Sequence, residues 1–234
     1  MKTIKKRVGI LTGAGISAES GLATFRDNHG LWENYNVEDV ATPQGWQKDI
    51  GLVLEFYNKR REEVMSAEPN AAHIAIAELE HHFDVSVITQ NVDDLHERAD
   101  SKNVLHVHGE IMKSRSTGTG KIYPTINGLI NKGDTCEEGY QLRPHVVWFG
   151  EDIFYNAEVI SIIKQTDIVL VIGTSLSVHP FSSLLEKARY RAVKIIINKD
   201  LPEKLPRGYK FIDGNAADLV PIICRKIING ALGC

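Results

Sequence analysis

The sequence predicts an α/β protein with a Rossmann-like parallel sheet, helices on both faces of that sheet, and a small inserted domain. An apolar run at residues 7–12 ends directly at Gly13 and Gly15, as a buried strand ends at a tight turn. In the second half, short β-branched runs alternate with helical segments, which is the pattern of parallel β-α-β units. Residues 113–143 are polar and lack periodicity, which indicates an insertion.

The composition limits the classes of protein to which this chain can belong. The chain has 234 residues, 43% of them hydrophobic, enough for one α/β domain with an insertion. Its net charge of −3 gives no reason to expect nucleic-acid binding. No signal peptide is recognisable, and no apolar run reaches the roughly 18 residues of a membrane span. Three cysteines, Cys136, Cys224 and Cys234, are too few for a disulfide framework. We therefore expect a cytoplasmic protein without nucleic-acid or membrane partners.

The turn after the first strand suits a phosphate group. Gly13 and Gly15 lack a Cβ, so the backbone there can turn sharply and approach a pyrophosphate. Ser17 and the following amides are predicted to open a helix whose dipole faces the anion. The spacing departs from G-x-G-x-x-G, because Ala18 stands where the third glycine would be. Alone, the turn is equally consistent with dinucleotide binding and with an ordinary turn.

The first half continues with a long loop and two helices. Residues 22–40 form a polar loop with several aromatic residues, and its length predicts a lid over a ligand site. Thr42-Pro43 is an N-cap followed by proline, which starts a helix running to about Met65. Asn70 caps a second helix. The apolar side of this second helix is predicted to be Ile74, Ala77 and Leu79.

The remaining elements alternate regularly. They are predicted as strand 85–89, helix 92–99, strand 104–107, strand 145–149, helix 156–165, strand 167–172, helix 180–190, strand 193–198, strand 209–212 and helix 215–229. Ligands of parallel sheets bind at the carboxyl ends of the strands. We therefore expect the functional residues at these ends.

Six motifs occur in a fixed order along the chain. They are Gly13-Ala14-Gly15-Ile16-Ser17, the segment from Gly21 to Asp27, Thr89-Gln90-Asn91-Val92-Asp93, His108-Gly109, Val146-Val147-Trp148-Phe149-Gly150-Glu151 and Gly173-Thr174-Ser175. Their order and approximate spacing resemble the sirtuin family over nearly the whole chain. Six motifs in register are far more specific than a glycine pattern.

The resemblance implies an NAD-dependent protein-lysine deacylase. In this reaction the acyl-lysine carbonyl oxygen attacks the anomeric carbon of the nicotinamide ribose and nicotinamide leaves. The products are free lysine and O-acyl-ADP-ribose, so NAD is consumed. The implied partners are acylated-lysine proteins or peptides, and we expect a monomer.

The resemblance also implies the NAD-binding residues. Gln90 and Asn91 would face the nicotinamide-side ribose, and Asp93 with Ile16 would hold the nicotinamide carboxamide. From the residues alone, this loop is also consistent with a plain helix N-cap. Implied contacts with the phosphates, the adenine ribose and the adenine come from Gly173, Thr174, Ser175, Asn198, Lys199, Asp200 and Ala216. The implied set also includes Gly13, Ala14, Gly15, Ser17, Phe25 and Arg26.

The implied catalytic residues are His108 and Asn91. A histidine titrates near neutral pH, which suits a general base. By periodicity alone His106 is an equal candidate, since it lies two residues earlier on the same face. The resemblance selects His108, which would activate a ribose hydroxyl.

The substrate-binding residues lie in two segments. The backbone of Val146 and Val147 would pair with an extended peptide, and Phe149-Gly150 would line the acyl-lysine tunnel. Tyr57 and Arg60 match the Tyr-x-x-Arg pair of sirtuins that remove acidic acyl groups, which implies desuccinylase and demalonylase activity. From the residues alone, this pair is also consistent with a half-buried tyrosine beside a solvated arginine.

The insertion departs from the family pattern. Sirtuins usually hold a structural zinc on four cysteines, whereas this chain has only Cys136 between His108 and Arg143. Four ligands are needed for such a zinc, so we predict that none is bound. Apolar contacts are expected to hold the insertion instead, from Ile122, Tyr123, Ile126, Leu129 and Ile130. The predicted boundaries are 1–40, 68–110 and 144–234 for the Rossmann-like NAD-binding domain, and 41–67 and 111–143 for the small domain.

Three other classes are compatible with parts of this pattern. Protein ADP-ribosyl transfer would use the same pocket with a different nucleophile, but retention of His108 and of the Tyr57–Arg60 pair favours deacylation. A non-catalytic NAD or acyl-lysine binding module is disfavoured because His108 and Asn91 are both present. An NAD dehydrogenase is disfavoured by the altered glycine spacing.

Overall fold

The computed structural model describes residues 5–24, 31–32, 35–125, 128–176 and 181–232. The expectations for Phe25, Arg26 and Ile126 fall outside these residues. In the part of the chain that is described, every helix is too short or too polar to cross a membrane.

A six-stranded parallel sheet forms the centre of the larger layer, as predicted. Its strands are β1 (Arg7–Thr12), β4 (Asp84–Thr89), β5 (Val104–His106), β9 (Ile168–Ile172), β10 (Val193–Asn198) and β11 (Lys210–Asp213). Their spatial order is β11-β10-β9-β1-β4-β5. The central strand β1 pairs in parallel with both neighbours, with Val8 opposite Val85 on one side and Ile168 on the other. The carboxyl ends of β1, β4 and β9 therefore meet at one edge of the sheet.

Helices cover both faces of this sheet because its strands are apolar on both sides. They are α4 (Ala71–Leu79), α6 (Asn156–Gln165), α7 (Phe181–Leu184) and α8 (Ala216–Ile228), with the short α5 (Leu95–Arg98) after β4. Ile10 packs with residues of α4 and α8, whereas its neighbour Leu11 packs with residues of α6 and α7. Both side chains are fully buried. Replacement of Ile10 by alanine would cost about 2–5 kcal/mol of stability.

A second, smaller layer contains an antiparallel sheet and the first helices. Its elements are β2 (Leu31–Trp32), β3 (Tyr35–Asn36), α1 (Val37–Val40), α2 (Pro43–Lys48), α3 (Ile50–Ser66), β6 (Gly109–Ser116), β7 (Ile122–Pro124) and β8 (Leu142–Val146). Strands β7, β6 and β8 form a three-stranded sheet. Two expectations are corrected here: the segment 113–143 is not aperiodic, and the strand predicted at 145–149 belongs to this antiparallel sheet. Buried Ser114 and Ser116 interrupt the apolar alternation of β6, which hides its strand pattern.

Other corrections have local causes. The helix predicted from Thr42 to Met65 is two helices, because the Asp49 side chain accepts a hydrogen bond from the Leu52 N–H and caps a new helix. Asn70 caps α4 as predicted, with His73 completing a capping box. The predicted apolar side of α4 is wrong at Ile74, which is 49% exposed. The buried side of α4 is instead Ala72, His73, Ala75, Ile76 and Leu79.

Candidate active site

A cavity of about 360 Å³ opens where the parallel strands end and faces helix α3 and the segment after β8. The site residues inferred from the sequence that line it are Gly13, Ala14, Gly15, Ser17, Tyr57, Arg60, Gln90, Asn91, Asp93, His108, Val146, Val147, Phe149, Gly150, Gly173, Thr174, Ser175, Asn198, Lys199, Asp200 and Ala216. Ile16 does not line it: its side chain is fully buried in the core, its N–H donates to the Gly13 carbonyl, and its carbonyl accepts from Asn70. The lining therefore gives no support to a contact between Ile16 and a ligand.

The two glycines after β1 allow close packing between two loops. The Gly15 N–H donates to the Gly173 carbonyl at 2.8 Å. A Cβ on Gly15 would lie 2.7 Å from the Gly173 Cα, and a Cβ on Gly13 would lie 2.8 Å from the Thr174 Cβ. The helix predicted to open at Ser17 is wrong, since residues 14–16 and 18–20 form two short 3₁₀ turns. The glycines thus hold the end of β1 against the end of β9.

Three polar side chains form a hydrogen-bonded chain on the cavity wall. The Asn91 amide donates to the Ser17 hydroxyl at 3.0 Å, and that hydroxyl donates to the Asp93 carboxylate at 3.1 Å. All three residues are buried. Burial raises the pKa of Asp93, and hydrogen bonds from the Leu95 N–H and from Ser17 oppose that rise. These hydrogen bonds fix an amide and a carboxylate side by side at the end of β4.

His108 lines the cavity as a neutral base. Its Nδ1 lies 3.1 Å from the Gln90 carbonyl oxygen, which only accepts hydrogen bonds, so Nδ1 carries the proton. The lone pair is then on Nε2. Burial lowers the pKa of His108, and the hydrogen bond to Gln90 opposes this. His106, the alternative by periodicity, is buried and does not line the cavity.

Tyr57 and Arg60 lie together at one part of the cavity wall, 3% and 6% exposed. The interpretation as a half-buried tyrosine beside a solvated arginine is therefore wrong. Burial raises the pKa of Tyr57, so its phenol stays protonated. Arg60 forms an ion pair with Glu63 at 3.3 Å.

Trp148 is a site residue that the sequence did not single out. Its Nε1–H donates to the Tyr57 hydroxyl at 3.1 Å. The Arg143 guanidinium lies 3.2 Å above its ring. The Glu151 carboxylate connects Trp148 and Arg143, since it accepts a hydrogen bond from the backbone N–H of Trp148 and forms an ion pair with Arg143. No local pattern indicates this role, because Tyr57 and Trp148 are 91 residues apart.

The cavity wall near the ends of β9 and β10 carries hydroxyl, amide and ammonium groups. The Thr174 hydroxyl donates to the Gln90 side chain at 2.8 Å, which joins the ends of β9 and β4. The Asn198 amide donates to the Thr174 carbonyl at 3.3 Å, and Lys199 pairs with Glu19 at 3.2 Å. These contacts bring together the strand-end residues that the sequence predicted to form one site.

The backbone after β8 is already partly paired. The Val147 N–H donates to the His108 carbonyl at 2.8 Å, and the Phe149 N–H donates to the Ala41 carbonyl at 3.0 Å. A peptide strand added here would have to pair with other backbone groups of the segment. The Phe149 side chain is 47% exposed and lines the cavity.

Polar contacts help to hold the insertion together. The buried Ser116 hydroxyl lies 3.3 Å from the Cys136 sulfur and accepts hydrogen bonds from the N–H groups of residues 118 and 119. The predicted apolar contacts are wrong for Ile122 and Leu129, which are 49% and 41% exposed, and correct for buried Ile130. Among the described residues, one group could offer metal ligands, Cys136, Glu137 and Glu138, and Glu137 is already bonded to Lys121 and Tyr123. The absence of zinc stays a prediction.

Comparisons with known proteins identify the family of this chain. The model of the Sir2 family matches residues 13–180. An NAD-dependent protein deacylase of Helicobacter pylori is 44% identical over 227 residues, which cover 97% of each chain. A solved Sir2 homologue mutant in complex with ADP-ribose has a TM-score of 0.88 and 38% identity, covering 98% of this chain and 94% of that one. A Sir2 homologue bound to NAD has a TM-score of 0.85 and 38% identity, covering 97% and 91%. The chain therefore belongs to the Sir2 family, the family of the sirtuins.

Proposed function

We propose that this chain is an NAD-dependent protein-lysine deacylase that releases nicotinamide and O-acyl-ADP-ribose. One observation carries the proposal: a single cavity holds the neutral base His108 together with the amide of Asn91 and the carboxylate of Asp93. The curated relatives are named NAD-dependent protein deacylases, and solved neighbours hold NAD or ADP-ribose.

The donor set fits NAD. Asp93 is a buried carboxylate that can accept hydrogen bonds from an amide, as the carboxamide of nicotinamide requires. Ser175, Asn198 and Lys199 supply hydroxyl, amide and ammonium donors in the cavity wall near the ends of β9 and β10. We assign the nicotinamide to the Asp93 end and the adenosine to the end near Ala216. When bound, NAD supplies an anomeric carbon with a good leaving group.

The protein residues have separate tasks in this reaction. Asp93 holds the carboxamide and so orients the nicotinamide ring relative to its ribose. Asn91 is hydrogen-bonded to Ser17, which fixes its amide beside that ribose. His108 accepts a proton from a ribose hydroxyl at Nε2, because its Nδ1–H is held by the Gln90 carbonyl. The apolar walls from Val146 and Phe149 would exclude water from the acyl group.

A variant pair tests this assignment. His108→Ala should lower deacetylation of an acetyl-lysine peptide by about 10²–10⁴-fold, the usual contribution of a general base. His81→Ala is the matched control, since His81 is exposed and does not line the cavity. Equal activity of the two variants would rule out His108 as the base.

We also propose that the enzyme removes succinyl and malonyl groups in addition to acetyl groups. The indole Nε1–H of Trp148 donates to the Tyr57 oxygen, so the phenol hydrogen is left to point elsewhere and can donate to a carboxylate. Arg60 has a planar fork of donors that matches a carboxylate. Both side chains are buried in the cavity wall, where a charge-assisted hydrogen bond is stronger than in water. Succinyl-lysine and acetyl-lysine peptides compared on the same enzyme test this preference.

We further propose that the protein acts as a monomer in the cytoplasm on acylated proteins. The described cysteines Cys136 and Cys224 are free and buried, which suits a reducing compartment. Light scattering coupled to gel filtration would measure the molar mass in solution and so test whether the protein is a monomer.

A further inference from the structure

His106 lies beneath the loop that carries Asn91 and Asp93. It ends strand β5 and is 5% exposed. Its Nδ1 lies 2.9 Å from the Asn91 carbonyl oxygen. Its Nε2 lies 2.8 Å from a carboxylate oxygen of Glu97 on helix α5. The ring thus joins the loop backbone to the helix that follows it.

The two partners of His106 define its protonation state. A carbonyl oxygen and an ionised carboxylate only accept hydrogen bonds, so both ring nitrogens must donate. A ring that donates from both nitrogens is an imidazolium. Burial lowers the pKa of His106, but the hydrogen bonds with Glu97 and with the Asn91 carbonyl outweigh it, and the net pKa is raised. Burial raises the pKa of Glu97, but the hydrogen bond and the positive charge of His106, a backbone hydrogen bond and the charge of Lys113 together lower it.

The groups around His106 suit a positive charge. Glu110 on strand β6 raises the pKa of His106, and the charge of His106 in turn opposes the raised pKa of Asp93. The carboxylates of Glu97, Glu110 and Asp93 therefore act on His106. Lys113 on β6 pairs with Glu110 at 2.7 Å and lowers the pKa of Glu97.

On α5, His96 is kept neutral, because burial lowers its pKa well below the ordinary value. The Nε2 of His96 lies 3.1 Å from the Thr12 hydroxyl. Arg98, on the same helix, forms ion pairs with Glu68 and Asp94.

We propose that His106 is a positioning residue: as an imidazolium held by Glu97, it fixes the Asn91 carbonyl and balances the charge of Asp93. It does not line the cavity, so it acts through these two residues. The inference rests on the proposed roles of Asn91 and Asp93 toward NAD. Two histidines on one stretch of chain then have opposite states, His106 charged for structure and His108 neutral for catalysis.

Nitrogen NMR of the wild-type protein tests the charge directly. With ¹⁵N-labelled histidine at pH 7, both ring nitrogens of His106 should have shifts of protonated nitrogen. His108 should show one protonated and one unprotonated nitrogen, which is the internal contrast. His106→Gln and His108→Ala assign the signals. One unprotonated ring nitrogen in His106 would overturn the proposal.

Kinetics test the positioning role. Glu97→Gln keeps a hydrogen-bond partner and removes the negative charge, so it should raise the KM for NAD and weaken nicotinamide inhibition, each about tenfold at pH 7.5. Since His106 would then lose its proton as the pH rises, kcat/KM should also fall between pH 6 and 8, unlike the wild type. Glu55→Gln, on the exposed face of α3, is the matched control. If the KM for NAD and the pH profile of Glu97→Gln equal those of the wild type, the inference is overturned.

Asp93→Asn separates this inference from the proposed function. It should weaken nicotinamide inhibition at least as much as Glu97→Gln does. If Asp93→Asn weakens it and Glu97→Gln does not, the role of His106 is wrong and the assignment of Asp93 holds. If Asp93→Asn leaves the inhibition unchanged, the assignment of Asp93 is wrong and the inference fails with it.

Discussion

The indole Nε1–H of Trp148 donates a hydrogen bond to the hydroxyl oxygen of Tyr57, at 3.1 Å and away from solvent. This bond occupies an acceptor site of the phenol and leaves its hydrogen as a donor. We predict that Trp148→Phe, which keeps a ring beneath Arg143, lowers desuccinylation about tenfold more than deacetylation, the loss of roughly one buried hydrogen bond. Steady-state kinetics on the two peptides measure the ratio. An unchanged ratio would mean that Trp148 does not orient the phenol.

Arg60 should discriminate acyl groups by charge. Arg60→Met removes the guanidinium and keeps a long apolar side chain, so desuccinylation should fall by about 10²-fold while deacetylation changes less than threefold. Arg60→Lys keeps the charge without the planar fork and should give an intermediate loss. The measurement is kcat/KM of each variant for a succinyl-lysine and an acetyl-lysine peptide. A parallel loss of both activities in Arg60→Met contradicts the acidic-acyl assignment.

The pH dependence of the reaction should reflect the buried state of His108. Burial lowers its pKa, so the neutral, basic form persists to lower pH than the ordinary value of about 6.5. We therefore expect kcat/KM to stay level from pH 8 down to about 6.5 and to fall only below that, by about tenfold per pH unit. The profile is measured with saturating NAD and a neutral acetyl-lysine peptide. An acid limb centred above pH 7 would contradict a neutral buried base.

The strand ends should tolerate no side chain at Gly15. A Cβ there would lie 2.7 Å from the Gly173 Cα, so Gly15→Ala forces two loops apart and should cost about 1–3 kcal/mol. Gly51→Ala, in the first turn of helix α3, is the control and should change stability by less than about 0.5 kcal/mol, because the contact of the added Cβ with the Asp49 carboxylate at 3.3 Å offsets the better helix propensity of alanine. Urea unfolding monitored by circular dichroism gives both values. Equal stabilities for the two variants would show that the loops are not packed as described.

The insertion should keep its structure without zinc. Ser116 accepts two backbone hydrogen bonds and contacts the Cys136 sulfur, so Ser116→Ala should cost about 1–3 kcal/mol, whereas a chelator should change neither stability nor activity. Elemental analysis and thermal unfolding with and without chelator provide the measurement. One zinc per chain that survives the chelator would refute the prediction.

The sequence predicted the parallel sheet well because its strands are buried on both faces. Runs such as Ile168–Ile172 are apolar throughout and leave little ambiguity. The antiparallel sheet was missed for the opposite reason. Strand β6 buries Ser114 and Ser116, whose hydroxyl groups are hydrogen-bonded, so its pattern resembles a polar loop.

The candidate site, too, was only partly predictable from the sequence. Parallel topology predicted that the site would lie at the strand ends, because it collects these ends at one edge, whereas the choice of His108 and Asn91 came from the resemblance to the sirtuins. The roles of Trp148 and His106 described above were not predicted, since they depend on partners elsewhere in the fold: Tyr57 for Trp148, and Glu97 and the Asn91 carbonyl for His106. Hydrogen bonds across the fold leave no periodic pattern in the sequence.

The central claim is that this cavity transfers an acyl group from lysine to the ribose of NAD. The most direct measurement is mass spectrometry of a reaction that contains NAD and an acyl-lysine peptide, with all products quantified. The account predicts one nicotinamide and one O-acyl-ADP-ribose for each lysine freed, and neither product with His108→Ala beyond trace amounts of nicotinamide. Free lysine formed while NAD stays intact, or ADP-ribose attached to protein in place of O-acyl-ADP-ribose, would contradict it.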